Sequence, residues 1–160
     1  MEPSIIIIGI GNEYRGDDAA GLAVVQALKT QDLPPVRLIE GISDGMSLLI
    51  CWDGASKIIL VDAVSSGAEV GTIYRFDALA QPIPVGLSFC STHAFGVAEA
   101  LTLAHTLRQL PSTLIVYAIE GKNYASGAAL SPEVEHAVQK VVAQVAQEVR
   151  EWTDPAVYAA

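Results

Sequence analysis

Five side chains in this sequence carry the chemistry it can perform: Asp17, Asp18, Ser43, Asp62 and His93. Asp18 closes a glycine-rich stretch that runs from Gly9 to Gly21, Asp62 follows the apolar run Lys57–Val61, and His93 follows Ser91-Thr92 at the start of a helical pattern. Two carboxylates and one imidazole make a donor set for a divalent transition metal. Imidazole suits nickel, zinc or iron, and carboxylates add hard oxygen ligands. Three protein ligands leave positions open for water or substrate, which marks a working site more than a structural one. A histidine in the first turn of a helix is disfavoured as imidazolium by the positive end of the dipole, so a neutral nitrogen stays available to coordinate. Each residue has a plainer explanation when taken alone. Asp17 or Asp18 reads as a helix N-cap, Asp62 as a cap on the turn at Ser65-Ser66-Gly67, and His93 as a surface histidine. Their common position at one edge of a sheet is what argues for a site. His105 and His136 fall inside helical patterns and read as structural.

Two rival motifs compete for the same residues. Gly41-Ile42-Ser43-Asp44-Gly45 spells G-x-S-x-G between a strand and a helix, the setting of a nucleophile elbow, and Asp62 and His93 follow in Ser…Asp…His order. The chain is short for such a hydrolase, the serine follows only the second strand, and His93 opens a helix instead of lying in a late loop. This serine hydrolase is therefore the alternative reading. The glycine-rich turn also suggests a dinucleotide site, but G-x-G-x-x-G would need glycine where Tyr14 stands. Glu40 is a weak ribose-binding candidate after the second strand. Two aspartates at a helix start would repel a pyrophosphate.

The elements that position these residues follow from periodicity. Ile5–Gly9, Val36–Ile39, Lys57–Val61, Thr72–Phe76 and Thr113–Ile119 read as strands, and the first, third and last are nearly continuously apolar, as for strands covered on both faces. Thr72–Phe76 follows the third strand without a helix between and is expected to run antiparallel. One helix begins near Asp17 and carries Leu22, Val25 and Leu28. A short one begins near Asp44 with Met46, Leu49 and Ile50. A third runs from Ser91-Thr92 to about Arg108 with Phe95, Ala98, Leu101 and Leu107 inward. The last starts at Ser131-Pro132-Glu133, an N-cap, a first-turn proline and early negative charge, and turns Val134, Val138, Val141, Val145, Val149 and Trp152 to one side. This order gives an α/β fold, a three-layer α/β/α sandwich on a mostly parallel five-stranded sheet. Residues 1–152 read as one domain and 153–160 as a loose tail. In open α/β sheets ligands bind outside the carboxyl ends of the strands, where Asp18, Asp62 and His93 fall.

The composition is that of a folding chain: 160 residues, 51% hydrophobic and 17% charged, with a formal net charge of −9. Such a balance argues against nucleic acid and anionic membranes as partners and fits a protein that receives a cation or a basic partner. Cys51 and Cys90 have no metal-type spacing and read as two buried thiols in a reducing compartment. No positively charged leader precedes the short apolar run at Ile5–Ile8, and no stretch is long enough to span a bilayer, so a cytoplasmic location is expected.

The stretch Gly9-Ile10-Gly11-Asn12-Glu13-Tyr14-Arg15-Gly16-Asp17-Asp18-Ala19-Ala20-Gly21 resembles the opening signature of the [NiFe]-hydrogenase maturation endopeptidases, G-[IV]-G-N-x4-D-[DE]-x2-G. Asp62-Ala63 after an apolar strand and His93 before a helix match the same family. The resemblance covers roughly Ile5 to Trp152. It implies an α/β/α sandwich on a twisted sheet and a peptidase, classed as aspartic-type, that removes a C-terminal extension from the precursor of the hydrogenase large subunit after nickel insertion. It also implies that Asp18, Asp62 and His93 form the metal-sensing and catalytic set, with nickel carried by the precursor. The metal could polarise the scissile carbonyl and activate water, or serve for docking while a carboxylate such as Asp17 acts as general base. A nickel-binding chaperone without peptidase activity would use the same ligands. The family's loop after the second strand usually reads [DE]-G-G-T-x-G, whereas this chain has Glu40-Gly41-Ile42-Ser43-Asp44-Gly45. Glu120, in Ala118-Ile119-Glu120-Gly121, is a candidate cleft-lining acid.

Overall fold

The structure, a computed structural model, describes residues 4–42, 44–84, 87–89 and 97–154. Among the described residues six strands, β1 (Ile5–Ile10), β2 (Arg37–Ile42), β3 (Lys57–Ser65), β4 (Ile73–Asp77), β5 (Ser88–Phe89) and β6 (Thr113–Glu120), form one sheet. Its main path runs β2-β1-β3-β6-β4, and β5 attaches to β3 off that path. The four strands β2, β1, β3 and β6 are parallel, and β4 returns antiparallel along β6 as expected from the missing crossover helix. The two-residue β5, antiparallel to β3, was not expected from the sequence.

Among the described residues four α-helices cover the sheet: α1 (Ala20–Leu28), α2 (Gly45–Trp52), α3 (Val97–Thr106) and α4 (Pro132–Thr153). Alternation along the strands divides the core in two. Ile5, Ile7, Ile59, Val61, Tyr117 and Ile119 pack against α1 and α4, and Ile6, Ile8, Ile58, Leu60, Leu114 and Val116 against α2 and α3. This is the expected sandwich. The valine stripe of α4 is buried as its spacing requires, from Val134 to Val149.

Several local expectations shift. β2 continues to Ile42 because a bulge at Gly41, whose φ is +85°, absorbs one residue and restores pairing between Ile10 and Ile42. β3 runs four residues past Val61, since β6 pairs with it as far as Val64. Within α3 the buried positions are Val97, Ala100 and Ala104; Ala98 and Leu107 face outward instead of inward. In α2 Met46 and Ile50 are exposed while Leu48, Leu49 and Trp52 are buried. Cys51 is a half-buried free thiol. Cys90, Phe95, the expected helix start at Ser91-Thr92 and residues 155–160 of the expected tail lie outside the described residues.

Candidate functional site at the carboxyl edge

β1 ends at Ile10, whereas β3 continues to Ser65. The chain leaving β1 turns onto the α1 face, whereas β2 returns to β3 through α2 on the opposite face, so the strand order reverses between these two neighbours. That reversal opens a crevice, the usual ligand position in such sheets. β1 pairs with β3 only as far as Gly9–Val61, and β5 takes up the same edge of β3 at Val64 and Ser65. Asp62 therefore sits in the gap between the end of β1 and β5. It is fully buried, and its Oδ1 accepts a 2.8 Å hydrogen bond from the Ala63 N–H. Strand alternation directs it to the α2/α3 face.

Asp18 lies in the turn that packs on the end of β1. The loop after β1 begins with Gly11, whose N–H donates to the Ile42 carbonyl at 3.0 Å, and Asn12, whose side chain accepts from the Tyr14 N–H at 2.9 Å. A 3-10 turn, Gly16–Ala19, then leads into α1. The signature glycines let these pieces approach closely. A Cβ on Gly9 would stand 2.5 Å from the Gly21 carbonyl oxygen, and one on Gly11 would stand 1.9 Å from that of Asp18. This packing seats the turn against β1 and β3 and leaves Asp18 only 1% exposed. The Arg15 guanidinium lies 3.9 Å from its Oδ2 on the solvent side.

Asp17 is turned away from this crevice. Its Oδ1 accepts from the Ser131 N–H at 2.7 Å, and its Oδ2 accepts from the Lys122 N–H at 2.9 Å, the Asn123 N–H at 3.0 Å and the Ser131 hydroxyl at 2.7 Å. Burial alone would push its carboxyl up, but these donors outweigh it and hold the group below the usual carboxylate range. Neither the 3-10 turn nor α1 has a side-chain cap, so Asp17 is not the cap expected from its position. With its lone pairs engaged it is also unsuited to act as a general base. Ser131, in turn, occupies the N-cap position of α4 but gives its hydroxyl to Asp17 and makes no cap bond.

Glu120 is likewise occupied. Its carboxylate accepts from the Ser66 N–H at 2.9 Å, the Ser66 hydroxyl at 2.8 Å and the Gly67 N–H at 3.2 Å, which makes it a brace for the turn after β3. Glu40 pairs with Lys29 at 3.4 Å. Asp44 caps α2 by accepting from the Ser47 N–H at 2.8 Å. His93 and Ser43 lie outside the described residues. Among the described residues no three His, Cys, Asp or Glu side chains surround a common point. The structure thus buries Asp18 and Asp62 near the carboxyl ends of β1 and β3 and assigns Asp17 and Glu120 to structural roles that their local sequence did not signal.

An α/β/α sandwich with two buried aspartates near the carboxyl ends of its central strands is an arrangement that many α/β enzymes share. Comparison with known proteins narrows that class. Residues 22–148 match the model of the hydrogenase maturation protease family. The hydrogenase expression/formation protein HoxM of Cupriavidus necator is 27% identical over 151 residues, covering 92% of this chain and 75% of the relative. The hydrogenase 2 maturation protease of Escherichia coli is 26% identical over 150 residues, covering 92% and 91%. Among solved structures, the hydrogenase maturating endopeptidase HybD of E. coli superimposes with a TM-score of 0.77 at 24% identity, covering 94% of each chain, and shares the fold. The chain belongs to the hydrogenase maturation protease family and is a peptidase.

Proposed function

We propose that this protein removes the C-terminal extension from the precursor of a [NiFe]-hydrogenase large subunit after nickel insertion, and that Asp18, Asp62 and His93 engage the precursor's nickel. What supports this reading is the burial of both Asp18 and Asp62 close to the carboxyl ends of β1 and β3. Carboxylates are hard oxygen donors, and two of them at one sheet edge can contribute to a site for a divalent cation. The donor set of two oxygens and one imidazole suits nickel and leaves positions free for the precursor's own ligands. Asp18 and Asp62 hold the cation side of the complex, and the −9 charge of the chain favours its approach. When bound there, the nickel would supply either Lewis acidity toward the scissile carbonyl or a docking point for the precursor. The edge position of β2 speaks against a nucleophile elbow at Ser43.

The test is mass spectrometry of a nickel-loaded large-subunit precursor before and after incubation. Wild type should release the extension, whereas Asp18→Ala and His93→Ala should leave the precursor whole, as should wild type acting on nickel-free precursor. Ser43→Ala should keep most activity. Full processing of nickel-free precursor, with a fluorophosphonate labelling Ser43, would favour the serine hydrolase instead.

A further inference from the structure

We infer that Asp17 is a positioning residue, a buried clamp that fixes the turn carrying Asp18 to the segment entering α4. The inference rests on the reading that Asp18 engages the metal. The turn is short, lacks a side-chain cap, and is followed by a helix of only nine residues, so its own hydrogen bonds hold it weakly. Long-range contacts supply the rest. Asp17 accepts four bonds from Lys122, Asn123 and Ser131, its N–H donates to the Asn123 carbonyl at 2.8 Å, and the Gly127 N–H donates to the Tyr14 carbonyl at 2.7 Å. The approach is close on both sides. A Cβ on Gly16 would stand 2.2 Å from the Asn123 carbonyl oxygen, and one on Gly121 would stand 2.8 Å from Asp17 Cβ. Ser131 is diverted from its own helix to complete the clamp. Because Asp17 and Asp18 are adjacent, the direction of the Asp18 carboxylate is set by the segment 121–131 as much as by β1.

The carboxylate is required in this role. Its two oxygens take one and three donors, whereas an asparagine offers one accepting oxygen and turns an N–H2 toward a donor on the other side. Asp17→Asn should therefore keep the shape of the side chain but misdirect the turn. Ser131→Ala removes one of the four donors and should act in the same direction more mildly.

Calorimetric titration of the full chain with Ni2+ alone tests this, at a temperature where circular dichroism shows each variant folded. Residues that orient metal ligands typically change affinity by about 10–100-fold. Asp17→Asn should weaken Ni2+ binding by about 10-fold or more, Ser131→Ala by a few-fold, and Asp18→Ala should abolish it. A purely structural Asp17 would lower the melting temperature of the variant and leave the affinity of the folded protein unchanged, and that result would overturn the inference. If Asp17→Asn does not fold, Ser131→Ala decides: wild-type affinity there overturns the inference as well. Loss of binding in Asp18→Ala with none in either clamp variant leaves the metal reading standing, whereas undiminished binding in Asp18→Ala removes that reading itself.

Discussion

Gly21→Ala is a sharp perturbation of the packing that brings Asp18 to the sheet. A Cβ at this position would stand 2.3 Å from the Val61 carbonyl oxygen, 2.6 Å from that of Ile10 and 3.0 Å from the Ile10 nitrogen. Ordinary C···O contacts begin near ~3.3 Å, so α1 must lift from the sheet by roughly 1 Å. Overpacking typically costs about 1–3 kcal/mol, and the upper end applies because the obstacles are backbone atoms of two central strands. The better helix propensity of alanine returns up to about 1 kcal/mol, which leaves a net loss of roughly 2 kcal/mol. For a chain of this size that corresponds to a fall in melting temperature of about 4–8 °C. The lift also carries the 3-10 turn, and with it Asp18, away from Asp62. A misplacement near 1 Å costs on the order of 100-fold in rate. Differential scanning calorimetry and precursor cleavage, assayed well below the melting point, read the two effects separately. A Gly21→Ala protein with wild-type melting temperature and wild-type cleavage would refute the proposed close packing and its consequence for the site.

Other perturbations distinguish the roles assigned to the remaining acids. Asp62→Asn should fold, because its amide oxygen can still accept from the Ala63 N–H, yet lose nickel-dependent cleavage; undiminished cleavage would remove Asp62 from the site. Glu120→Ala strips the acceptor from the turn at Ser66 and Gly67 and should cost about 2–3 kcal/mol in urea denaturation. Ni2+ affinity of the folded variant should be retained, and a loss of binding would return Glu120 to the cleft. Tyr117 donates its hydroxyl to Glu148, which also binds Arg75, and burial followed by the Glu148 carboxylate pushes its phenol up despite the opposing pull of Arg75. The unfolded chain then loses this proton first as pH rises through about 10, so stability should fall above that pH by up to ~1.4 kcal/mol per unit. Urea midpoints measured from pH 8 upward should show that decline in wild type and a flatter one in Tyr117→Phe.

The sequence by itself determined the layers of this protein, because hydrophobic periodicity is a local property. Continuous apolar runs at Ile5–Ile8 and Lys57–Val61 specify strands buried on both faces, and the valines of α4 recur at helical spacing whatever they pack against. It also singled out Asp18 and Asp62 as candidates, since glycine spacing and the end of an apolar run are visible without a fold. Strand ends were less legible. Asp62 interrupts the hydrophobic pattern and looked like a terminus, but β6 supplies hydrogen bonds that carry β3 on to Ser65. The second strand was expected to end at Ile39, and a bulge at Gly41 against β1 carries β2 on to Ile42. The outward faces of Ala98 and Leu107 depend on which side of α3 the sheet offers, a choice made by packing and not by α3 alone. The roles of Asp17 and Glu120 belonged wholly to tertiary structure. Asp17 finds its donors 105 to 114 residues away, and Glu120 finds its own 53 and 54 residues away. Neighbouring residues could not signal the role of Asp17: its carboxylate meets a ring of donors because two distant stretches, Lys122-Asn123 and Ser131, close around the turn that carries it.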